Sequence, residues 1–259
     1  MPFQTIIVET KNQVATLFLN RPEVLNALDE SMREDLKKAL SIVASDKKIH
    51  VVILTGKGRA FCAGANLRRF KEDYEHFART GEPSQFYDVT LPRIFVSFPK
   101  PLIAAINGPA VGIGMTMVLA CDIRLASESA TFSCPFSRIG LTPEFGSSYY
   151  LPRLVGYARA AEWVMTGKTV DAQEALSTGL INYLVNPEVL LEEARKMAHS
   201  IASMPQESID AAKRLLCEGL DSSLDEVLER ETNVFQDCQK TQSHYLAVCD
   251  FLKRMKVEN

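Results

Sequence analysis

The run Leu102-Ile103-Ala104-Ala105-Ile106, followed by Asn107-Gly108-Pro109-Ala110-Val111-Gly112-Ile113-Gly114 and an apolar stretch over 115–120, most constrains what this chain can fold into. An uninterrupted apolar run suits a strand buried on both faces. The glycines after it let the backbone bend and come close to a ligand, and the following stretch reads as a helix. The first amides of a helix lack internal partners and sit at the positive end of its dipole. Such a turn suits an anion, or an oxygen becoming one. Downstream, Thr142-Pro143-Glu144-Phe145-Gly146 brings a single acid in a stretch short of other charges. The turn reads as an electrostatic sink and Glu144 as a base.

The remaining segments predict an α/β core. Residues 3–8 and 14–19 alternate and are rich in β-formers, so they read as a hairpin about 11–13. Asp29 or Ser31 caps a helix to about residue 44, with Met32, Leu36, Leu40 and Val43 on one face. Residues 51–55 form a buried strand, 56–59 a loop, and 60–67 a run of small residues ending at a helix start. The polar segment 68–84 reads as a mobile lid, and 85–96 as moderately helical. Short strands follow at 123–126 and 130–133, helices at 149–155, 158–166 and 171–176, and a last strand at 180–185. Everything beyond Pro187 reads as helix, over 189–202, 206–219, 224–238 and 243–255. Strands alternating with helices give an α/β core over 1–200, and the later helices a C-terminal module over 201–259.

Composition excludes several classes. A net charge of −3 over 259 residues gives no hint of nucleic acid, for which a strongly basic face would be expected. The six cysteines show no zinc spacing and read as buried reduced thiols, and no metal is expected. No run reaches the ~18 apolar residues of a membrane span, so no membrane partner is expected. The start carries no signal peptide and the end no peroxisomal tripeptide, which gives a cytoplasmic expectation unless a leader precedes this sequence. His50, His76, His199 and His244 stand in no triad-like setting, and Ser147-Ser148 read as a helix cap.

Further motifs carry a resemblance. They are Asn20-Arg21-Pro22-Glu23-Val24-Leu25-Asn26-Ala27-Leu28, then Arg59-Ala60-Phe61-Cys62-Ala63-Gly64-Ala65-Asn66-Leu67. Pro99-Lys100-Pro101 leads into the apolar run at 102, and Asp122-Ile123-Arg124-Leu125-Ala126, Thr166-Gly167-Lys168, Ala172-Gln173-Glu174-Ala175 and Gly179-Leu180 complete the set. In this order they resemble the crotonase (enoyl-CoA hydratase/isomerase) superfamily over nearly the whole chain. The resemblance implies a ClpP/crotonase-like spiral of ββα units with a C-terminal helical trimerisation module, forming a homotrimer or dimer of trimers. It implies an acyl-CoA thioester as substrate, with coenzyme A part of that substrate and no separate cofactor. The thioester oxygen would lie between the amides of Ala65 and Ile113. The ligand would be bound by Leu25, Ala63, Ala65, Asn66, Leu67, Ile113, Gly114 and Phe136. Leu25, Ala63 and Leu67 would embrace the adenine and pantetheine through their main chains. Lys253 and Arg254 would meet CoA phosphates or form a solvated helix face.

Within the family, hydratases hold a water with two glutamates, at the positions where this chain has Thr116 and Phe136. Threonine has no useful pKa and phenylalanine cannot accept a proton. Thr116 is expected to bond its own helix or touch substrate. Glu144 stands where the Δ3,Δ2-enoyl-CoA isomerases carry their single base, and the residues around it resemble the peroxisomal type. Apolar neighbours Phe145 and Phe136 should raise its pKa. The resemblance implies an isomerase of fatty acid β-oxidation. Alternatives are a ring-opening epoxide isomerase, a dehalogenase, a weak hydratase or a non-catalytic acyl-CoA-binding protein. The dehalogenase type carries a tryptophan close to its acid, while the single tryptophan here is Trp163.

Overall fold

The structure, a computed structural model, describes residues 3–82 and 89–257. In chain order its strands are β1 (Ile6–Lys11), β2 (Val14–Leu19), β3 (Val51–Gly56), β4 (Leu102–Ile106), β5 (Ala110–Val111), β6 (Ile123–Ser127), β7 (Thr131–Ser133), β8 (Thr169–Asp171) and β9 (Tyr183–Val185). Its helices are α1 (Glu30–Ser45), α2 (Leu67–Thr80), α3 (Thr90–Val96), α4 (Ile113–Leu119), α5 (Ser147–Val155), α6 (Tyr157–Thr166), α7 (Ala172–Ser177), α8 (Leu190–Ala202), α9 (Gln206–Gly219), α10 (Leu224–Gln239) and α11 (Gln242–Val257).

The main sheet has the order β1-β2-β3-β4-β6-β9 and is antiparallel only at β1–β2. That hairpin turns through Asn12 and Gln13, both left-handed, which matches the strand twist. The second sheet, β5-β7-β8, is extended by single bridges between Cys62 and Ala110 and between Leu28 and Ala65. Each inner strand of the main sheet therefore passes into a short piece of the second row and then into a helix or turn. This is the spiral of ββα units, and it lines up residues 28, 62–65, 110–113 and 131–133 side by side.

The apolar runs are continuous because the sheet is covered on both faces. Val52, Leu54, Ala104 and Ile106 face the cluster that holds α1, α3 and α4, while Val51, Ile53, Ile103 and Ala105 meet Leu190, Ala194, Ala198 and Ala202 of α8. The cap of α1 is Asp29, whose side chain accepts from the Met32 amide, and Met32, Leu36, Leu40 and Val43 are buried as their spacing predicts. Beyond α8, no described side chain of α9, α10 or α11 is buried. α9 is tied to the core by Lys213, whose ammonium donates to the Lys100 carbonyl and the Asp122 carboxylate at 2.8 Å each.

Four expectations change. The helix start expected at Leu67 is present, and the segment read as a mobile lid is helical over Leu67–Thr80, capped by the Asn66 side chain. The helix expected over 85–96 is present from Thr90, and residues 83–88 lie outside the described residues. β8 was not read from the sequence, because three residues of which only Val170 is buried carry no period. Of the six cysteines only Cys62, Cys121 and Cys134 are buried; Cys238 and Cys249 are half-buried and Cys217 exposed, since they sit on the open helices after α8.

Two asparagines clamp the loop that leads to the small-residue segment. Asn26 is fully buried; its amide donates to the carbonyls of Lys57 and Ala60 at 2.9 Å, and its oxygen accepts from the Arg21 amide at 2.8 Å. Asn107 donates to the Gly58 and Ala60 carbonyls from the other side. Removing a buried partner leaves each backbone group unsatisfied at about 1–3 kcal/mol. Asn26→Ala is therefore expected to lower stability by roughly 2–4 kcal/mol. Urea unfolding reads this as a lower midpoint, and an unchanged midpoint would contradict the clamp.

Candidate active site

Two backbone segments cross at the heart of the site. The Pro109 carbonyl accepts from the amides of Phe61 and Cys62, and the Val111 amide donates to the Cys62 carbonyl at 2.9 Å. Next, the Gly112 amide donates to the Ser133 carbonyl at 2.9 Å. Gly112 has φ 53° and ψ −121°, a conformation that a side chain makes costly. Gly114 acts through space. A Cβ there would stand 2.2 Å from the Cys62 carbonyl oxygen. Only glycine lets α4 settle against the 62–65 segment.

This crossing opens on a cavity of about 1150 Å³. Of the residues expected to bind a ligand, Ala63, Ala65, Asn66, Leu67, Ile113, Phe136 and Glu144 line it. Among the described residues, the amides of Ala65 and Ile113 donate no hydrogen bond. Ile113 opens α4, where the first amides lack helical acceptors. The pair can therefore receive an oxygen that gains negative charge.

Leu25 and Gly114 are not among the residues that line this cavity. The Leu25 carbonyl accepts from the Ala63 amide at 3.0 Å. That bond occupies the Ala63 N–H and fixes the segment, so the main-chain groups of these two residues serve the wall before any ligand. Gly114 is buried in the contact with Cys62 and does not line the cavity. Neither Lys253, which pairs with Asp250 at 3.7 Å, nor Arg254 lines it.

Glu144 reaches the cavity from the loop after the 3-10 turn Pro135–Ile139 and is half-buried. Its carbonyl accepts from the Ser147 amide at 2.9 Å. The next residue, Phe145, takes a left-handed φ of 57°, unusual for a bulky side chain. Its ring is buried and packs edge-on against Phe95, with centroids 5.3 Å apart. Burying such a ring stabilises by about 1.5–3 kcal/mol, and the aromatic pair adds about 0.5–1.5. Together these offset the roughly 1–3 kcal/mol of backbone strain, so the turn that aims Glu144 is held by its neighbour. The serines do not cap α5. Gly146 is its N-cap with no side-chain bond, and the buried Ser147 hydroxyl has no partner among the described residues.

The contact that sequence reasoning missed is between Thr116 and Glu144. The fully buried Thr116 hydroxyl donates to Glu144 Oε1 at 2.5 Å and lies 3.4 Å from the Ile113 carbonyl. Twenty-eight residues separate the pair, and no local spacing announces it. Two thiols sense the same carboxylate. Burial first, with the charge of Glu144 added, pushes Cys134 up to about 12. Cys62 is pushed up to about 11 by burial, with Glu144 adding to that and hydrogen bonds from the Gly64 and Leu28 backbone opposing it. Both stay protonated at neutral pH and are poor nucleophiles. Among the described residues, no cluster of His, Cys, Asp or Glu is placed to hold a metal, and no helix is long and apolar enough to cross a membrane.

Comparison with known proteins places the chain in a family. The sequence profile of the enoyl-CoA hydratase/isomerase family matches residues 9–258. The chain is 33% identical to the crotonyl-CoA hydratase of Syntrophomonas wolfei, over 99% of this chain and 98% of that protein. It is 34% identical to the 1,2-epoxyphenylacetyl-CoA isomerase of Escherichia coli, over 96% and 95%. Among solved structures, the enoyl-CoA hydratase of Bacillus anthracis superposes with a TM-score of 0.88 at 32% identity, covering 97% of each chain. The chain belongs to the enoyl-CoA hydratase/isomerase family, the crotonase superfamily.

The crossing is testable through Gly114. Gly114→Ala forces a methyl group against a backbone carbonyl that has no room to move, and overpacking of this kind costs about 1–3 kcal/mol or more. A lower melting temperature together with weakened acyl-CoA binding is expected. A variant with parental melting and parental affinity would show that the contact is slack.

Proposed function

We propose that this member of the enoyl-CoA hydratase/isomerase family is a Δ3,Δ2-enoyl-CoA isomerase, with Glu144 as its single acid–base. The observation that carries the reading is the set of side chains at the three acid positions. Glu144 lines the cavity, while Thr116 and Phe136 occupy the positions that the family resemblance gives to the two glutamates of a hydratase. The other carboxylates in the cavity wall are placed differently. Asp29 caps α1 and pairs with Arg21, and Glu30 and Glu72 are exposed. An acyl-CoA thioester as substrate fits the family.

In this reading Glu144 takes a proton from C2 of a 3-enoyl thioester. The electrons of that C–H bond move into the thioester, giving a dienolate whose oxygen faces the Ala65 and Ile113 amides. Fixed backbone donors need not reorganise as the charge develops, and one such donor is typically worth about 3–4 kcal/mol. The same carboxyl group then returns the proton at C4, leaving the double bond between C2 and C3. No electrons leave the substrate, so the reaction calls for no cofactor, and coenzyme A is carried as part of the substrate. The buried phenyl ring of Phe136 gives an added water no acceptor. A cytoplasmic enzyme of β-oxidation is the setting we favour.

A ring-opening epoxide isomerase is the second reading, favoured by the 34% identity to the Escherichia coli 1,2-epoxyphenylacetyl-CoA isomerase. Incubation with trans-3-hexenoyl-CoA, crotonyl-CoA and an aryl-epoxide thioester separates the readings. Conjugation of the first with little hydration of the second is expected. Glu144→Gln keeps the shape and removes the basicity, so isomerisation should fall about 10²–10⁴-fold while CoA affinity barely changes. Parental turnover in that variant would remove Glu144 from the role of base.

The module beyond residue 200 is proposed to assemble the enzyme. Leu216, Leu224, Phe235 and Phe251 are each more than 60% exposed on α9, α10 and α11. Large apolar side chains gathered on open helices favour burial between subunits. Light scattering is expected to give a trimer or a dimer of trimers, and a stable monomer at micromolar concentration would contradict it.

A further inference from the structure

We propose that Thr116 is a positioning residue: its hydroxyl holds one oxygen of Glu144 and ties the base to the helix that presents the Ile113 amide. The proposal rests on the reading of Glu144 as the base. A hydroxyl has one proton to give. Of its two acceptors, Glu144 Oε1 is at 2.5 Å and the Ile113 carbonyl at 3.4 Å, so the nearer, charged oxygen takes it. Thr116 is fully buried and lies one helical turn after Ile113 in α4. One rigid turn therefore carries both the amide that faces the thioester oxygen and the donor that fixes the carboxylate. Proton transfer at C2 and C4 needs the carboxylate held above the plane whose oxygen the amides hold, and loss of that alignment costs rate.

The bond also has an electrostatic consequence. A hydrogen bond donated to a carboxylate favours its ionised form. From the packed elements, Cys62 and Cys134 face Glu144 as neutral thiols. Around the same cavity, α1 and the turn before it bring Asp29, Glu30 and Arg33, α2 brings Arg69 and Glu72, and the 3-10 turn Pro135–Ile139 brings Arg138. Both signs are present on these neighbours, and Thr116 is a donor bonded to Oε1 itself. Removing it should raise the pKa of Glu144. Because the base must be ionised to start the reaction, the acid limb of the rate should move to higher pH.

The test compares the parent, Thr116→Val, Thr116→Ser and Glu144→Gln by kcat and KM across pH on trans-3-hexenoyl-CoA. In parallel, the carboxyl of ¹³C-labelled glutamate is titrated by NMR, with the signal absent from Glu144→Gln taken as Glu144. Thr116→Val is expected to lower kcat about 10- to 100-fold with KM nearly unchanged, and to raise the acid limb by about one pH unit. Thr116→Ser, which keeps the donor, should restore most of the rate and return the limb. If Thr116→Val does not fold, Thr116→Ala serves as the variant without a donor. A donor-free variant with parental kcat and acid limb overturns the proposal, as does a folded Thr116→Ser no better than Thr116→Val. A parent that does not isomerise overturns the proposed function instead. In that case the NMR titration still decides on Thr116: an unchanged Glu144 pKa without the hydroxyl overturns its role.

Discussion

The contact of Gly114 with the Cys62 carbonyl is the constraint on which the site depends. It presses α4 against the 62–65 segment, and the ladder from Pro109 to Ser133 holds the pair in register. Main-chain amides cannot be retuned by substitution, so their usefulness depends on where the backbone is held. The second row of strands supplies that control. It is short at every step, yet each step is anchored to a strand of a sheet buried on both faces.

The acid reaches the same cavity by a different route. Glu144 sits on a loop, and a loop alone positions a side chain poorly. Two contacts compensate. Phe145 pins the turn from the apolar side through Phe95, and Thr116 reaches the carboxylate from α4. The strained φ at Phe145 persists because burial of its ring outweighs the strain. Strain beside a candidate base, held by core packing, is the pattern expected where geometry matters more than local stability.

A crotonase fold does not decide between hydration and isomerisation, because chemistry lives in the side chains set on it. Relatives of similar identity carry names from both reactions. In this chain the cavity acid is Glu144, reached by the Thr116 hydroxyl. A glutamate at 116 would put a second charge beside Glu144, where the structure has a hydroxyl at hydrogen-bond distance. A hydroxyl at this position, in place of an acid, gives the carboxylate a partner and adds no second charge.

The sequence by itself determined the strands of the main sheet, the glycine turn and the order of motifs, because these follow from local rules. Continuous apolar runs mark a sheet covered on both sides, and Asp29 with its spaced apolar residues marks α1. The motif asparagines at 26 and 107 were legible as a pattern, though their work as a clamp on residues 57–60 was not. The tertiary structure alone decided the rest. Leu25 proved to be a strut for Ala63, Ser147 not a cap, and Thr116 the partner of Glu144. The physical reason is range: hydrophobic period and capping act within a turn or two of chain, whereas a hydroxyl and a carboxylate 28 residues apart meet only after the spiral has brought α4 and the 140s loop together.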